Sequence, residues 1–206
     1  MKPAGHKIYL ASKSPRRREL LRQIGVEFEL LLLRDQSPRG PEVSEEVRPG
    51  EKAEDYVTRV TREKAEYASS TMSWRRLPVR PVLAADTTVV IDGRILGKPA
   101  DAAEATEMLK ALSGRTHRVL TSVAVHRDED TWQATQVSEV TFGELSDEMI
   151  RAYCATGEPY DKAGGYAIQG EAAVFIKNIS GSYSGIMGLP LYETADLLRQ
   201  AGIPVP

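Results

Sequence analysis

"THRVLTSVAVHRDEDTWQATQVSEVTF", residues 116–142, sets two runs of alternating or β-branched residues on either side of a charged break. Side chains of that kind suit a pleated, half-buried surface, so "THRVLTSVAVH" and "WQATQVSEVTF" predict two long strands and "RDEDT" the turn of an antiparallel hairpin. Towards the N-terminus, "VLAADTTVVIDGRILGKP", residues 82–99, reads as a strand, a tight turn at Asp92-Gly93 and a short return strand. Helical patterns alternate with these strands. The fold class is therefore α/β, mixed, with an antiparallel component.

The remaining segments are well punctuated. "KIYLAS" is a β-type run, after which Ser14 caps a helix with Pro15 in its first position, Leu20, Leu21 and Ile24 as its apolar stripe, and Gly25 at its end. Residues 34–50 are polar and proline-rich and read as a loop or flap carrying "PEVSEEVRPG". A helix over 51–68 follows, with Val57, Val60, Lys64 and Ala68 on one line, which puts a lysine on a buried-looking face. "SSTMSWRRLPVRP" predicts a second loop. Asp101 and Glu104 form a capping box for a helix ending at Ser113-Gly114, and Ser146 caps another. The chain then runs through "EPYDKAGGYAIQG", a strand "AAVFIKNI", a loop "SGSYSGIMG" and a final helix from Pro190 to Gln200. No repeat or linker divides it, so 1–206 reads as a single domain.

Composition narrows the function classes. With 206 residues, 27% charged and 41% hydrophobic, the chain is that of a soluble globular protein. A formal net charge of −2 argues against a general nucleic-acid or membrane coat, so any basic site must be local. Cys154 is alone, which leaves no intramolecular disulfide and favours a buried small residue over a nucleophile. No apolar run approaches the roughly 18 residues of a membrane span, and "MKPAGHKIYLAS" lacks a secretory core; the expected compartment is the cytoplasm.

Against that acidic background, "LASKSPRRREL" gathers Lys13, Arg16, Arg17 and Arg18 at a helix entrance, where unpaired N–H groups already favour anions. Two readings stand: a phosphate site, or a solvated basic end paired with Glu19 or with Glu42, Glu45 and Glu46. Asp86 lies between apolar runs and needs a metal, a cation, or backbone and threonine donors. The tight turn would set Lys98 opposite Thr87, one position from Asp86, although strand parity points the two charges to opposite faces. Lys64 is either a site lysine or one that snorkels. Asp161-Lys162 before Gly164-Gly165 is either a charged turn or a place of close ligand approach. "GRILGKP" is one residue short of a phosphate loop, lacks its Ser/Thr and sits on a hairpin. His6, His117 and His126 are scattered without metal spacing and take ordinary roles.

Taken together, "LASKSPRRRELL", "YVTRVTREKA", "AADTTVVIDGRILGKP", "LKALSGRTHRVLTSVAV", "EPYDKAGGYAIQG" and "GLPLYET", in that order, resemble the Maf family of nucleoside triphosphate pyrophosphatases over nearly the whole chain. The resemblance implies a fold similar to that of the inosine triphosphate pyrophosphatases, with a long bent mixed β-sheet flanked by helices and a central cleft between two lobes. "DKAGGYAIQG" with "ADTT" looks like the branch that hydrolyses dTTP and UTP to the monophosphate and pyrophosphate. It implies Asp86 as the catalytic carboxylate, with Ser12, Arg16, Arg17, Lys64, Lys98, Asp161 and Lys162 about the substrate and Arg16, Thr87 and Gln169 at the positions of substrate choice. A divalent cation, Mg²⁺ or Mn²⁺, would be held by Asp86 and Glu45. Ser44 replaces an aspartate common in the family and the loop is longer, so Glu46 and Glu42 are alternatives to Glu45. The implied partner is a nucleoside triphosphate, with no stable nucleic acid and no membrane, and a homodimer is compatible with the sequence. The competing readings are the 7-methyl-GTP branch and a nucleotide- or nucleic-acid-binding regulator of cell division without turnover.

Overall fold

In the computed structural model, which describes residues 6–33 and 43–205, the long hairpin is the middle of a seven-stranded sheet. Strands β5 (Thr116–Arg127) and β6 (Asp130–Phe142) pair antiparallel from Thr116↔Thr141 to Arg127↔Asp130. The turn is tighter than the charged break predicts. Asp128, at φ 56°, and Glu129 close it alone, because a two-residue turn of positive φ matches the twist of the strands and aspartate tolerates that conformation.

Against β5 lies β3 (Val82–Ile91), paired antiparallel from Val82↔His126 to Val90↔Arg118. Its other edge is shared. β1 (Ile8–Leu10) runs parallel to it at Val82 and Leu83, while β4 (Arg94–Leu96) returns antiparallel at Val89 to Ile91 through the turn at Asp92 and Gly93, with φ of 52° and 75°. Among the described residues no strand covers the stretch between Leu83 and Val89 on that edge. The gap falls at Asp86 and Thr87. β2 (Phe28–Leu30) extends the sheet beyond β1, and β7 (Ile176–Ser180) beyond β6.

The core is divided at the same level. One cluster packs Val89, Leu96, Leu109, Val119, Phe142 and Ile150; another packs Ile8, Leu10, Leu21, Leu83, Val123 and Leu198. Between them a polar band crosses three strands, Asp86 opposite Ser122 opposite Thr135, and Thr87 opposite Thr121 opposite Gln136.

Helix α1 (Pro15–Gln23) begins as its sequence dictates, Ser14 Oγ accepting from Arg17 N and proline in the first turn. The next, α2 (Ala53–Trp74), overruns its expected end into "SSTMSW". Thr71 and Met72 are buried, and the Ser70 and Ser73 hydroxyls donate back to Glu66 O and Ser69 O, so the two serines are satisfied inside the helix, while the Thr71 hydroxyl has no hydrogen-bond partner among the described residues. In α3 (Ala102–Leu112), Asp101 accepts from Glu104 N, but Glu104 reaches back to Ala100 N and not to the cap's own amide. Ser146 caps α4 (Asp147–Ala155). The strand expected over 172–179 starts only at Ile176, since Glu171–Phe175 is a 3-10 turn. The loop at 180–188 contains the short helix α5 (Tyr183–Met187), and α6 (Leu191–Gln200) takes Pro190 as its cap. Of the predicted flap at 34–50, residues 34–42, Glu42 included, lie outside the described residues. Among the described residues no helix is long and apolar enough to cross a membrane. Cys154 is buried and free.

Candidate active site

A cleft of about 830 Å³ opens at the gap in the edge of β3. Its walls bring together Ser12, Arg16 and Arg17 from the start of α1, Glu45, Lys64 from α2, Asp86 and Thr87 from β3, Lys98 after β4, and Asp161, Lys162 and Gln169 from the glycine-bearing stretch. Six cationic side chains, with Lys13 among them, face four acidic ones there, in a chain whose overall charge is negative. A field of that sign concentrates anions.

At the floor of the cleft, Lys64 Nζ lies 2.7 Å from Asp86 Oδ1 and 2.7 Å from Glu45 Oε1. Burial, the largest influence, works against the Lys64 charge, but the attraction and hydrogen bonds of Asp86 and Glu45 outweigh it and hold the ammonium above the ordinary lysine value. Tyr56, two turns earlier on α2, donates its hydroxyl to Glu45 O at 3.0 Å and fixes that segment. Burial, with Asp86 and Glu45 nearby, pushes the Tyr56 phenol up to about 12, so it remains a donor. Glu45 is thus the acidic-loop residue that meets Lys64, while Glu46 has its carbonyl on Arg59. Lys98 does not face Thr87 in the ladder, because β4 ends at Leu96; it stands exposed on the wall.

Arg17 is built into the opposite wall. Its Nε donates to Gly188 O at 2.7 Å, Nη1 to Ser12 Oγ at 3.2 Å and Nη2 to Thr87 Oγ1 at 3.2 Å. Burial lowers its affinity for the proton, opposed by Asp86 and aided by Arg16, yet a guanidinium stays charged at neutral pH. Thr121 donates to Gly185 O at 2.7 Å, so its contact of 3.0 Å with Thr87 must be one in which Thr87 donates. Every hydrogen in the relay from Arg17 through Thr87 and Thr121 to Gly185 then has one direction. Arg16, Lys98 and Gln169 have no hydrogen-bond partner among the described residues, which leaves two cations and one amide available to a ligand.

At the far end Lys162 Nζ contacts Asp161 Oδ1 and donates to Glu158 O at 2.9 Å. Burial would raise the Asp161 carboxyl, but Lys162 and the more distant Arg16 hold it below the usual aspartate value. Tyr56 and Thr121 were not foreseen in the sequence. Tyr56 carries a readable signal, since it, Val60 and Lys64 recur at four-residue spacing on α2; Thr121 has none, because its role depends on strand pairing.

The model of the family described as Maf-like protein matches residues 7–201. The chain belongs to the Maf family. Maf relatives named dTTP/UTP pyrophosphatase include those of Aromatoleum aromaticum, 56% identical over the full length of both chains. Those of Ralstonia nicotianae and Nitrosomonas europaea are 57% identical over 95% of this chain and 94% of the relative, and 53% identical over 98% of each. Among solved structures, the Staphylococcus aureus Ham1 protein is 14% identical, covers 66% of this chain and 71% of its own, and has a TM-score of 0.44.

Proposed function

We propose that this chain is a nucleoside triphosphate pyrophosphatase that hydrolyses dTTP and UTP to the monophosphate and pyrophosphate, removing them from the nucleotide pool. The observation that carries the reading is the convergence of Asp86, Lys64 and Glu45 at the floor of a cationic cleft, in a chain similar over its whole length to dTTP/UTP pyrophosphatases. The triphosphate is placed along Ser12, Arg16, Arg17 and Lys98, with Asp161 and Lys162 at the far end. Arginine forks and the open end of α1 neutralise charge as the anhydride breaks. Asp86 Oδ1 is held by Lys64 and Oδ2 has no partner among the described residues, so the carboxylate can orient and accept the proton of a water attacking the α-phosphorus. Arg16, Thr87 and Gln169 choose the base.

A divalent cation fits this donor set. Asp86 and Glu45 already converge on one cationic position, and no cluster of three or more metal-ligating side chains occurs among the described residues. Two carboxylates suit a Mg²⁺ or Mn²⁺ that takes its other ligands from water and phosphate. Such an ion would supply charge neutralisation between phosphate oxygens. The protein works on this reading as one domain over 1–206, its two lobes about the cleft, in the cytoplasm and on free nucleotides. It needs neither nucleic acid nor membrane, and a homodimer is compatible with it.

The test is product analysis with dTTP, UTP, CTP, GTP and 7-methyl-GTP in ¹⁸O water. Label in the monophosphate, with pyrophosphate released from dTTP and UTP in preference, is expected; a nucleoside diphosphate as first product, or preference for 7-methyl-GTP, refutes the assignment. Asp86→Asn should lose at least about 100-fold in kcat with the fold intact.

A further inference from the structure

Glu158 lies outside the cleft lining yet is bonded on every side. Its Oε2 accepts from Glu171 N at 2.9 Å, and its Oε1 from the buried Tyr153 hydroxyl at 2.9 Å and Ala172 N at 3.4 Å. Its own N donates to Thr156 Oγ1 at 3.1 Å, and its carbonyl accepts from Lys162 Nζ. The carboxylate lies flat against Gly170, where a Cβ would stand 2.3 Å from Oε1 and 2.4 Å from Oε2. Any residue but glycine would displace it. On the near side, Gly170 N donates to Ala167 O at 3.1 Å. Gln169 is thereby held between a turn that closes on Ala167 and a carboxylate that clamps the two amides after Gly170. Hydrogen bonds from backbone N–H groups to a charged acceptor are stronger than neutral ones, and a base-reading amide discriminates only if its direction is fixed.

We propose that Glu158 is a positioning residue for base selection, its carboxylate locking the backbone behind Gln169 so that the glutamine amide meets the pyrimidine edge in one orientation. The inference rests on the reading of Gln169 as a base contact. Glu158 takes no part in the chemistry, so its loss acts on discrimination more than on turnover.

Steady-state kcat/KM for UTP and CTP in the purified full chain tests this, using Glu158→Ala, Glu158→Gln, Gln169→Ala and the Glu158→Ala/Gln169→Ala pair. Glu158→Ala should lower the UTP/CTP ratio at least about fivefold, on the scale of a lost base-specific hydrogen bond. Glu158→Gln, which can still accept from Glu171 N and meet Tyr153, should hold the ratio within about twofold. The double variant should fall no further than Gln169→Ala alone, as coupled sites do. If Gln169→Ala shifts the ratio and Glu158→Ala does not, the positioning role is overturned while the base contact stands. A ratio unmoved by Gln169→Ala overturns the base contact and the positioning role with it. Equal losses on UTP and CTP in Glu158→Ala also overturn the proposal, since they mark a merely structural residue. Should Glu158→Ala fail to fold, Glu158→Asp, whose carboxylate stops one methylene short of Glu171 N, is read by the same criteria.

Discussion

His117 sits on β5 with 2% of its surface exposed, its Nε2 2.7 Å from the Tyr166 hydroxyl and its ring edge-on to Phe142. Burial lowers its pKa from 6.5 to about 4. The imidazole is neutral in the native state where the unfolded chain would protonate it, so its contribution to stability is complete above about pH 6.5 and is lost as pH falls towards 4. Between pH 7.5 and 5.0 this amounts to roughly 2 kcal/mol. Urea unfolding of the wild type and of His117→Gln at both pH values should show a fall smaller by that amount in the variant; equal falls would mean that the buried imidazole is not what titrates. The same trade between burial and charge made Asp86 legible in the sequence, since a carboxylate between apolar runs demands a metal, a cation, or backbone and threonine donors. Which of these it meets was not legible. Hairpin geometry brought Lys98 near Asp86 but with strand parity pointing the two to opposite faces, whereas Lys64 arrives from a helix packed across the sheet and ends 2.7 Å from Asp86.

At the level of elements, the relay from Arg17 through Thr87 and Thr121 to Gly185 ties α1, β3, β5 and α5 into one wall of the cleft. Thr121→Val keeps the shape of the buried side chain but takes away one of the two donors to Gly185 O, which still accepts from Gly188 N at 2.9 Å, and removes the acceptor that orients the Thr87 hydroxyl. A loss of about 0.5–1.5 kcal/mol in unfolding free energy is expected, the net worth of a hydrogen bond removed, together with a several-fold lower kcat/KM for UTP. Wild-type stability and kinetics in that variant would show that the chain of hydroxyls organises nothing. The elements that assemble this wall differ in how plainly the sequence announces them. The start of α1, the turn at Asp92-Gly93 and the pairing of β5 with β6 carry local signals, namely a cap, a positive-φ dipeptide and a long alternation. β2 has three residues and α5 five, too few to show any period, and the last turns of α2 read as loop because serines there are satisfied only once the helix exists.

Across the whole molecule, charge is segregated: a chain with net charge −2 keeps an excess of cations around one cleft. The cleft residues were legible because their blocks are short and chemically distinctive, while Thr121 and Glu158, which act by holding others, emerge only from packing between elements. The segregation also has a kinetic signature. Lys98 is exposed and unpartnered, so its pull on a polyanion passes through solvent and is screened once the Debye length falls from about 10 Å at 0.1 M salt towards 3 Å at 1 M. Arg17 and Lys64 act from partly buried positions and are screened less. Raising NaCl from about 50 to about 500 mM should therefore increase KM for UTP at least about threefold with kcat changed less than about twofold, because screening weakens capture of the anion more than its alignment at Asp86. Lys98→Ala should raise KM at low salt and lose most of that difference at high salt. A KM indifferent to ionic strength would place substrate capture on the base contacts at Gln169, and a Lys98→Ala effect that persists undiminished at high salt would mean that Lys98 holds the phosphates through a contact shielded from solvent rather than through an exposed, screened one.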